Sequence, residues 1–174
     1  MTVYLIGFMG SGKSTFGKRM AARAEWQFAD LDSIIENAEG RTVNHIFSAS
    51  GEDYFREIES QTLRSIRQHD NHIIACGGGT PCYKDNMEYM NSTGITVYLK
   101  HDAATLIHRL AKAKKVRPLL KNMSPGDLKK YIVAKLAERE EYYNKARIII
   151  DGLRADPGKL MDIIISHPPY NEEH

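Results

Sequence analysis

Gly7-Phe8-Met9-Gly10-Ser11-Gly12-Lys13-Ser14 is the stretch on which the reading of this chain turns. It meets the pattern G-x-x-x-x-G-K-[ST] at every fixed position. Directly upstream, Thr2 to Ile6 is a short apolar run that ends in glycine, as a buried parallel strand should. Downstream, Lys13 to Ala24 reads as a helix. A glycine loop in that context lets backbone N–H groups converge on phosphate oxygens with no Cβ in the way. The helix N-terminus adds partial positive charge. In such a P-loop Lys13 reaches the β- and γ-phosphates of the nucleotide, and the Ser14 hydroxyl ligates Mg²⁺.

Working outward, strands alternate with helices. Trp26 to Ala29, His72 to Cys76, Thr96 to Leu99 and Arg147 to Ile150 are further strand candidates. Helical segments run from Ser33 to about Gln68, broken near Gly40 and Gly51, from Ala103 to Ala113, and from Gly158 to Ser166. Thr80 to Asn91, with its methionines and tyrosines, reads as a helix with a core face and a surface face. The alternation predicts an α/β P-loop NTPase fold, a five-stranded parallel sheet flanked by helices. The basic stretch Lys112, Lys114, Lys115 and Arg117, punctuated by Pro118 and by Ser124-Pro125-Gly126, suits a mobile lid over about 112–126. His167 to His174 is polar and reads as a frayed tail.

The 174 residues fit one domain, and 42% hydrophobic with 26% charged residues is ordinary for a globular protein. A net charge of +2 gives no reason to expect nucleic acid or a membrane as partner. The N-terminal run has no basic flank and no cleavage pattern, and no apolar run approaches a membrane span. Cys76 and Cys82 have neither zinc-site spacing nor a disulfide framework, so they read as reduced thiols of a cytoplasmic protein.

P-loops serve GTPases, ATPases and small kinases alike. No Asn-Lys-x-Asp run for guanine is present. The acceptor side narrows the choice. Asp30 and Asp32 follow the second strand candidate, where ligands of parallel sheets bind. Two carboxylates there suit Mg²⁺ and a hydroxyl that must lose its proton, although Asp32 would also serve as a helix N-cap. Arg56 and Glu59 share a helix face at i, i+3, and taken alone they read as a solvated ion pair. Gly77-Gly78-Gly79 would let a substrate approach the backbone.

Together these pieces resemble the shikimate kinase family over nearly the whole chain. The matching motifs are the loop Gly10 to Thr15, Asp30-Leu31-Asp32, Phe55 to Glu59, Gly77 to Gly79, Val116 to Leu120, and Arg139 followed by tyrosines. The resemblance implies an ATP-dependent phosphotransferase with a helical substrate-binding region over about 32–68. It implies that Gly10, Ser11, Gly12, Lys13, Ser14 and Thr15 bind ATP, and that Ser14 and Asp30 hold Mg²⁺, Asp30 through water. Asp32 would bind the ring hydroxyls of shikimate and help activate one of them, Arg56 and Arg139 would clamp its carboxylate, Gly78 would offer its backbone, and Glu59 would orient Arg56. Arg117 would reach over the transferring group from the lid, an arginine finger supplied in cis. Arg154 would lie beside adenine, and Arg109 would stack on it. Tyr142 and Tyr143 read as packing residues. A monomer is expected, with ATP and shikimate as its only partners. The alternatives are a related kinase, such as gluconate kinase, and a nucleotide-binding regulator without catalysis.

Overall fold

The computed structural model describes residues 1–66, 71–112 and 123–166. Arg117, most of the expected lid and the C-terminal tail lie outside the described residues. The elements run β1 (Thr2–Ile6), α1 (Lys13–Ala24), β2 (Gln27–Asp30), α2 (Leu31–Glu39), α3 (Val43–Ser65), β3 (His72–Ala75), a 3₁₀ turn (Thr80–Cys82), α4 (Asn86–Thr93), β4 (Ile95–Lys100), α5 (Ala103–Ala111), α6 (Pro125–Tyr143), β5 (Ile148–Asp151) and α7 (Pro157–Ser166).

The five strands are all parallel, in the order β2-β3-β1-β4-β5. Strand β1 is central, and the chain leaves it first toward β2 and β3, then crosses to β4 on the other side. That reversal opens a crevice at the carboxyl end of β1, between the loops that leave to either side. The P-loop sits there.

Side chains of a strand alternate between faces, and β1 is buried on both. Val3 and Leu5 join Phe16 and Met20 of α1 and Met161 and Ile164 of α7 in one core. Tyr4 and Ile6 join a second core on the opposite face with Leu31, Phe55, Leu63, Ile132 and Tyr143. The helices expected on both faces are therefore present, and the fold class read from the sequence holds.

Several boundaries differ from the expected ones for local reasons. Trp26 is not the start of a strand. Glu25 closes α1 with φ +57°, and the Trp26 N–H bonds back to the Ala21 carbonyl at 3.0 Å, so β2 begins at Gln27. Gly51 breaks α3 as expected, with φ +85° and ψ 172°, a conformation a side chain would strongly disfavour. Thr80 to Asn91 is not one helix. It is a 3₁₀ turn followed by α4, and its polar residues Thr80 and Asn86 are fully buried. Ser124, Pro125 and Gly126, expected in the lid, open α6: Ser124 Oγ accepts from the Asp127 N–H at 3.1 Å and Pro125 takes the first helical position.

Candidate active site

A cleft of about 240 Å³ opens at the carboxyl edge of the sheet. Gly10, Gly12 and Lys13 of the P-loop, Asp30 at the end of β2, Asp32 in the first turn of α2, and Gly77 and Gly78 after β3 line it. Three loops from three neighbouring strands thus meet, none of them close to all the others in sequence.

The P-loop is held from outside and inside. Outside, the Ser11 carbonyl accepts from Arg109 Nη1 at 3.1 Å and pairs with His101 Nε2 at 3.0 Å. An amide N–H lies opposite its carbonyl, so these ties turn the Gly12 N–H away from His101 and Arg109. His101 follows β4, is 5% exposed, and burial lowers its pKa below the usual histidine range. Neutral His101 carrying its proton on Nε2 is therefore the form that donates to the loop. Inside, the Lys13 ammonium bonds the Gly7 and Phe8 carbonyls at 2.8 and 2.9 Å and Ser11 Oγ at 3.3 Å.

Ser14 and Asp30 meet across the base of the cleft, the Ser14 hydroxyl donating to Asp30 Oδ2 at 2.6 Å. A hydroxyl beside a carboxylate is an oxygen donor pair of the sort Mg²⁺ accepts when phosphate and water complete its shell. No group of three His, Cys, Asp or Glu side chains forms a closed metal cage among the described residues. The pair fits Mg²⁺ held jointly with a nucleotide. Asp30 precedes α2 at its N-cap position without a side-chain capping bond, and Asp32 lies in the first turn, so the capping role considered for Asp32 is not taken up there.

The triple glycine does something the sequence did not reveal. A Cβ at Gly77 would overlap Glu59 Oε1, one at Gly78 would lie 3.3 Å from Arg139 Nη1, and one at Gly79 would overlap the Arg56 guanidinium. Each glycine makes room for one of the protein's own polar side chains. Arg56 and Arg139, from α3 and α6, are thereby brought to adjacent residues of one loop.

Arg56 Nη1 donates to Glu59 Oε2 at 2.7 Å, and Glu59 is 0% exposed. The solvated ion pair expected from spacing alone is thus corrected to one with a fully buried carboxylate and a half-buried guanidinium, because the 3₁₀ turn packs over Glu59. Burial works against the charge on Arg56, but Glu59 and Glu52 more than offset it, so its pKa stands above the ordinary arginine value. Arg139 is 9% exposed, with its guanidinium carbon 5.6 Å from the Phe8 ring centre. Tyr143 packs on Tyr98 as expected, ring centres 5.0 Å apart, but its hydroxyl also donates to the Gly78 carbonyl.

Other expected residues are less tightly joined. Thr15 is an exposed residue of α1. Arg154 stands in the turn after β5, its side chain 89% exposed and paired with Asp151 at 3.6 Å. Arg109, expected on adenine, spends Nη1 on the P-loop carbonyls. Cys76 and Cys82 are free thiols, and burial raises the pKa of both, that of Cys82 to about 11. Sequence reasoning missed Thr80, Asn86 and His101, for no local pattern distinguishes a buried polar residue from a solvated one.

A parallel sheet with a P-loop on its central strand and a carboxylate pair beside it places the chain in the class of P-loop kinases. The shikimate kinase family profile matches residues 9–167, and the chain belongs to that family. It is 44% identical over 149 residues to the shikimate kinase of Parabacteroides distasonis, covering 86% of each chain. The crystal structure of shikimate kinase from Bacteroides thetaiotaomicron superposes with a TM-score of 0.88 at 34% identity, over 98% of this chain and 99% of that one. Shikimate kinase from Acinetobacter baumannii, in complex with shikimate, gives 0.83 at 29% identity, over 99% of this chain and 95% of that one.

Proposed function

We propose that this chain transfers the γ-phosphoryl group of ATP to the 3-hydroxyl of shikimate, giving 3-phosphoshikimate and ADP in aromatic amino acid (chorismate) biosynthesis. The observation that carries the reading is the pair of guanidinium groups, Arg56 and Arg139, seated on adjacent glycines of the loop that also lines the cleft of Lys13 and Asp32. Two planar forks suit a ring carboxylate, and gluconate would offer them an open chain instead of a rigid ring.

The residues divide the work. Lys13 exchanges its loop carbonyls for phosphate oxygens, with backbone N–H groups from Gly10 to Thr15 around it. Ser14, and Asp30 through water, would hold Mg²⁺, which would supply neutralising charge beside the phosphates. Asp32 accepts or orients the attacking hydroxyl from the rim of the same cleft. Arg56 and Arg139 fix the ring, Gly78 offers its backbone, and the transfer is direct and in line. Arg117, outside the described residues, stabilises the transferring group by resemblance to the family. Arg154 sits by the hollow of about 340 Å³ at the ends of β4 and β5, lined by His101, Asp151 and Leu153, which we assign to the base. Its two cysteines are free, and we place the enzyme in the cytoplasm, as a monomer.

Coupled ADP release from MgATP tests this, with shikimate and gluconate as separate acceptors. Turnover with shikimate alone is expected. Equal turnover with gluconate, or none with shikimate, overturns the assignment.

A further inference from the structure

Arg56 is the exposed end of a longer buried chain of polar groups. Glu59 uses Oε2 for Arg56 and Oε1 for the hydroxyl of Thr80, which donates to it at 2.6 Å. Glu59 and Thr80 are both 0% exposed. The chain continues behind them. Asn86 Nδ2 donates to the Thr80 carbonyl at 3.0 Å. Asn86 Oδ1 accepts from Ser60 Oγ at 2.8 Å and from Arg64 Nη1 at 2.6 Å. Arg64 Nη2 then reaches the surface at Asp85, 2.7 Å away.

A carboxylate removed from water is costly unless its oxygens are partnered, and one partner per oxygen fixes its rotation as well as its energy. Thr80 occupies one oxygen of Glu59 and so dictates where the other points. Arg56 has a second carboxylate partner. Its Nε and Nη2 also lie 3.3 Å from Oε1 of Glu52, an exposed carboxylate one turn earlier on α3. Glu59 and Glu52 therefore hold one guanidinium through different nitrogens, and a rotation of Glu59 away from Nη1 leaves Glu52 alone to draw it outward.

We propose that Thr80 is a positioning residue for acceptor binding. Its hydroxyl locks Glu59, Asn86 anchors its backbone, and Glu59 in turn holds Arg56 against Gly79 with its remaining N–H groups toward the acceptor. The inference rests on Arg56 as a ligand of the acceptor's carboxylate. It adds a residue of the 3₁₀ turn that never touches the acceptor yet governs its affinity.

Thr80→Val removes the hydroxyl at nearly constant volume, and Thr80→Ser restores it. KM for shikimate, KM for ATP and kcat are measured for both and for the wild type. Thr80→Val is expected to raise KM for shikimate about tenfold or more, the scale of a buried hydrogen bond to a charged group. KM for ATP and kcat should stay within about twofold, and Thr80→Ser should lie within about twofold of wild type throughout. An unchanged KM for shikimate overturns the proposal. So does a parallel rise in KM for ATP, or a failure of Thr80→Ser to restore affinity, since either marks a general loss of packing. Thr80→Ala carries the same comparison where Thr80→Val does not fold. The wild type is assayed first: absence of turnover with shikimate there removes the functional reading itself, whereas an active wild type with an unaffected Thr80→Val removes only the role of Thr80.

Discussion

A methyl group added at Gly79 would fall on the guanidinium carbon and both terminal nitrogens of Arg56. Those atoms are the far end of a flexible side chain, so the fold can yield by letting Arg56 swing away. Gly79→Ala is therefore expected to fold, with a lowered Tm because buried Glu59 loses its partner, and to raise KM for shikimate by about tenfold or more, the scale of a charged hydrogen bond, with KM for ATP unchanged. Steady-state kinetics beside a melting curve would check it, and a normal KM for shikimate would remove Arg56 from the acceptor. Asp32 makes a sharper demand on chemistry. Asp32→Asn keeps the shape of the cleft but removes the group that accepts a proton. It should bind ATP normally by calorimetry and lower kcat by about 10² to 10⁴. Near-normal turnover would leave Asp32 without its role.

At the scale of elements, α1 joins the P-loop to the sheet, and Gly17 shows how closely it packs. Glycine inside a helix costs about 1 kcal/mol relative to alanine, so Gly17→Ala would ordinarily stabilise α1. Here the new Cβ would sit 2.8 Å from Leu5 Cδ1 and 2.7 Å from Phe28 Cε2. Leu5 belongs to the central strand and is 0% exposed, so it has nowhere to move. Overpacking of this kind costs about 1–3 kcal/mol and outweighs the propensity gain. Chemical denaturation of Gly17→Ala should show a net loss of stability, and a gain would mean that α1 rides more loosely on β1 than its contacts indicate. The same closeness explains how Ser14, in the first turn of α1, comes within 2.6 Å of Asp30 at the end of β2.

Over the whole molecule, every strand sends a loop to one edge of the sheet, and the outer loops brace the inner ones. His101, after β4, ties the P-loop carbonyl and leaves no room for a side chain at Gly152, after β5. Burial holds its pKa below the unfolded value and Arg109 adds to this, against the hydrogen bond to the Ser11 carbonyl and the weaker pull of Asp151 and Asp102. The unfolded chain then takes up a proton first. Stability from this site is complete above about pH 6.5, declines as pH falls below it, and is lost as pH passes the folded pKa. Carboxylates titrate lower and leave that window to histidine. His101→Gln should flatten the fall in Tm between about pH 6.5 and 5. An unaltered slope would show that His101 is free to protonate in place.

The sequence by itself determined what depends on contiguous residues. A strand, a glycine loop and a helix in immediate succession define the phosphate site, and the alternation of apolar runs with helical spacing predicts the parallel sheet. Asp30 and Asp32 were legible because they stand where a strand ends and a helix begins. The acceptor side was legible only through resemblance, since Arg56 and Arg139 stand on different helices with nothing local to join them. Tertiary structure alone decided that the carboxylate of the Arg56–Glu59 pair is buried, that the three glycines make room for Glu59, Arg139 and Arg56, and that Thr80 and Asn86 are polar residues of the interior. Spacing along a helix fixes which side chains are neighbours. It does not fix what packs over them, and whether a charge is solvated or locked in place depends on chain segments that are distant in sequence.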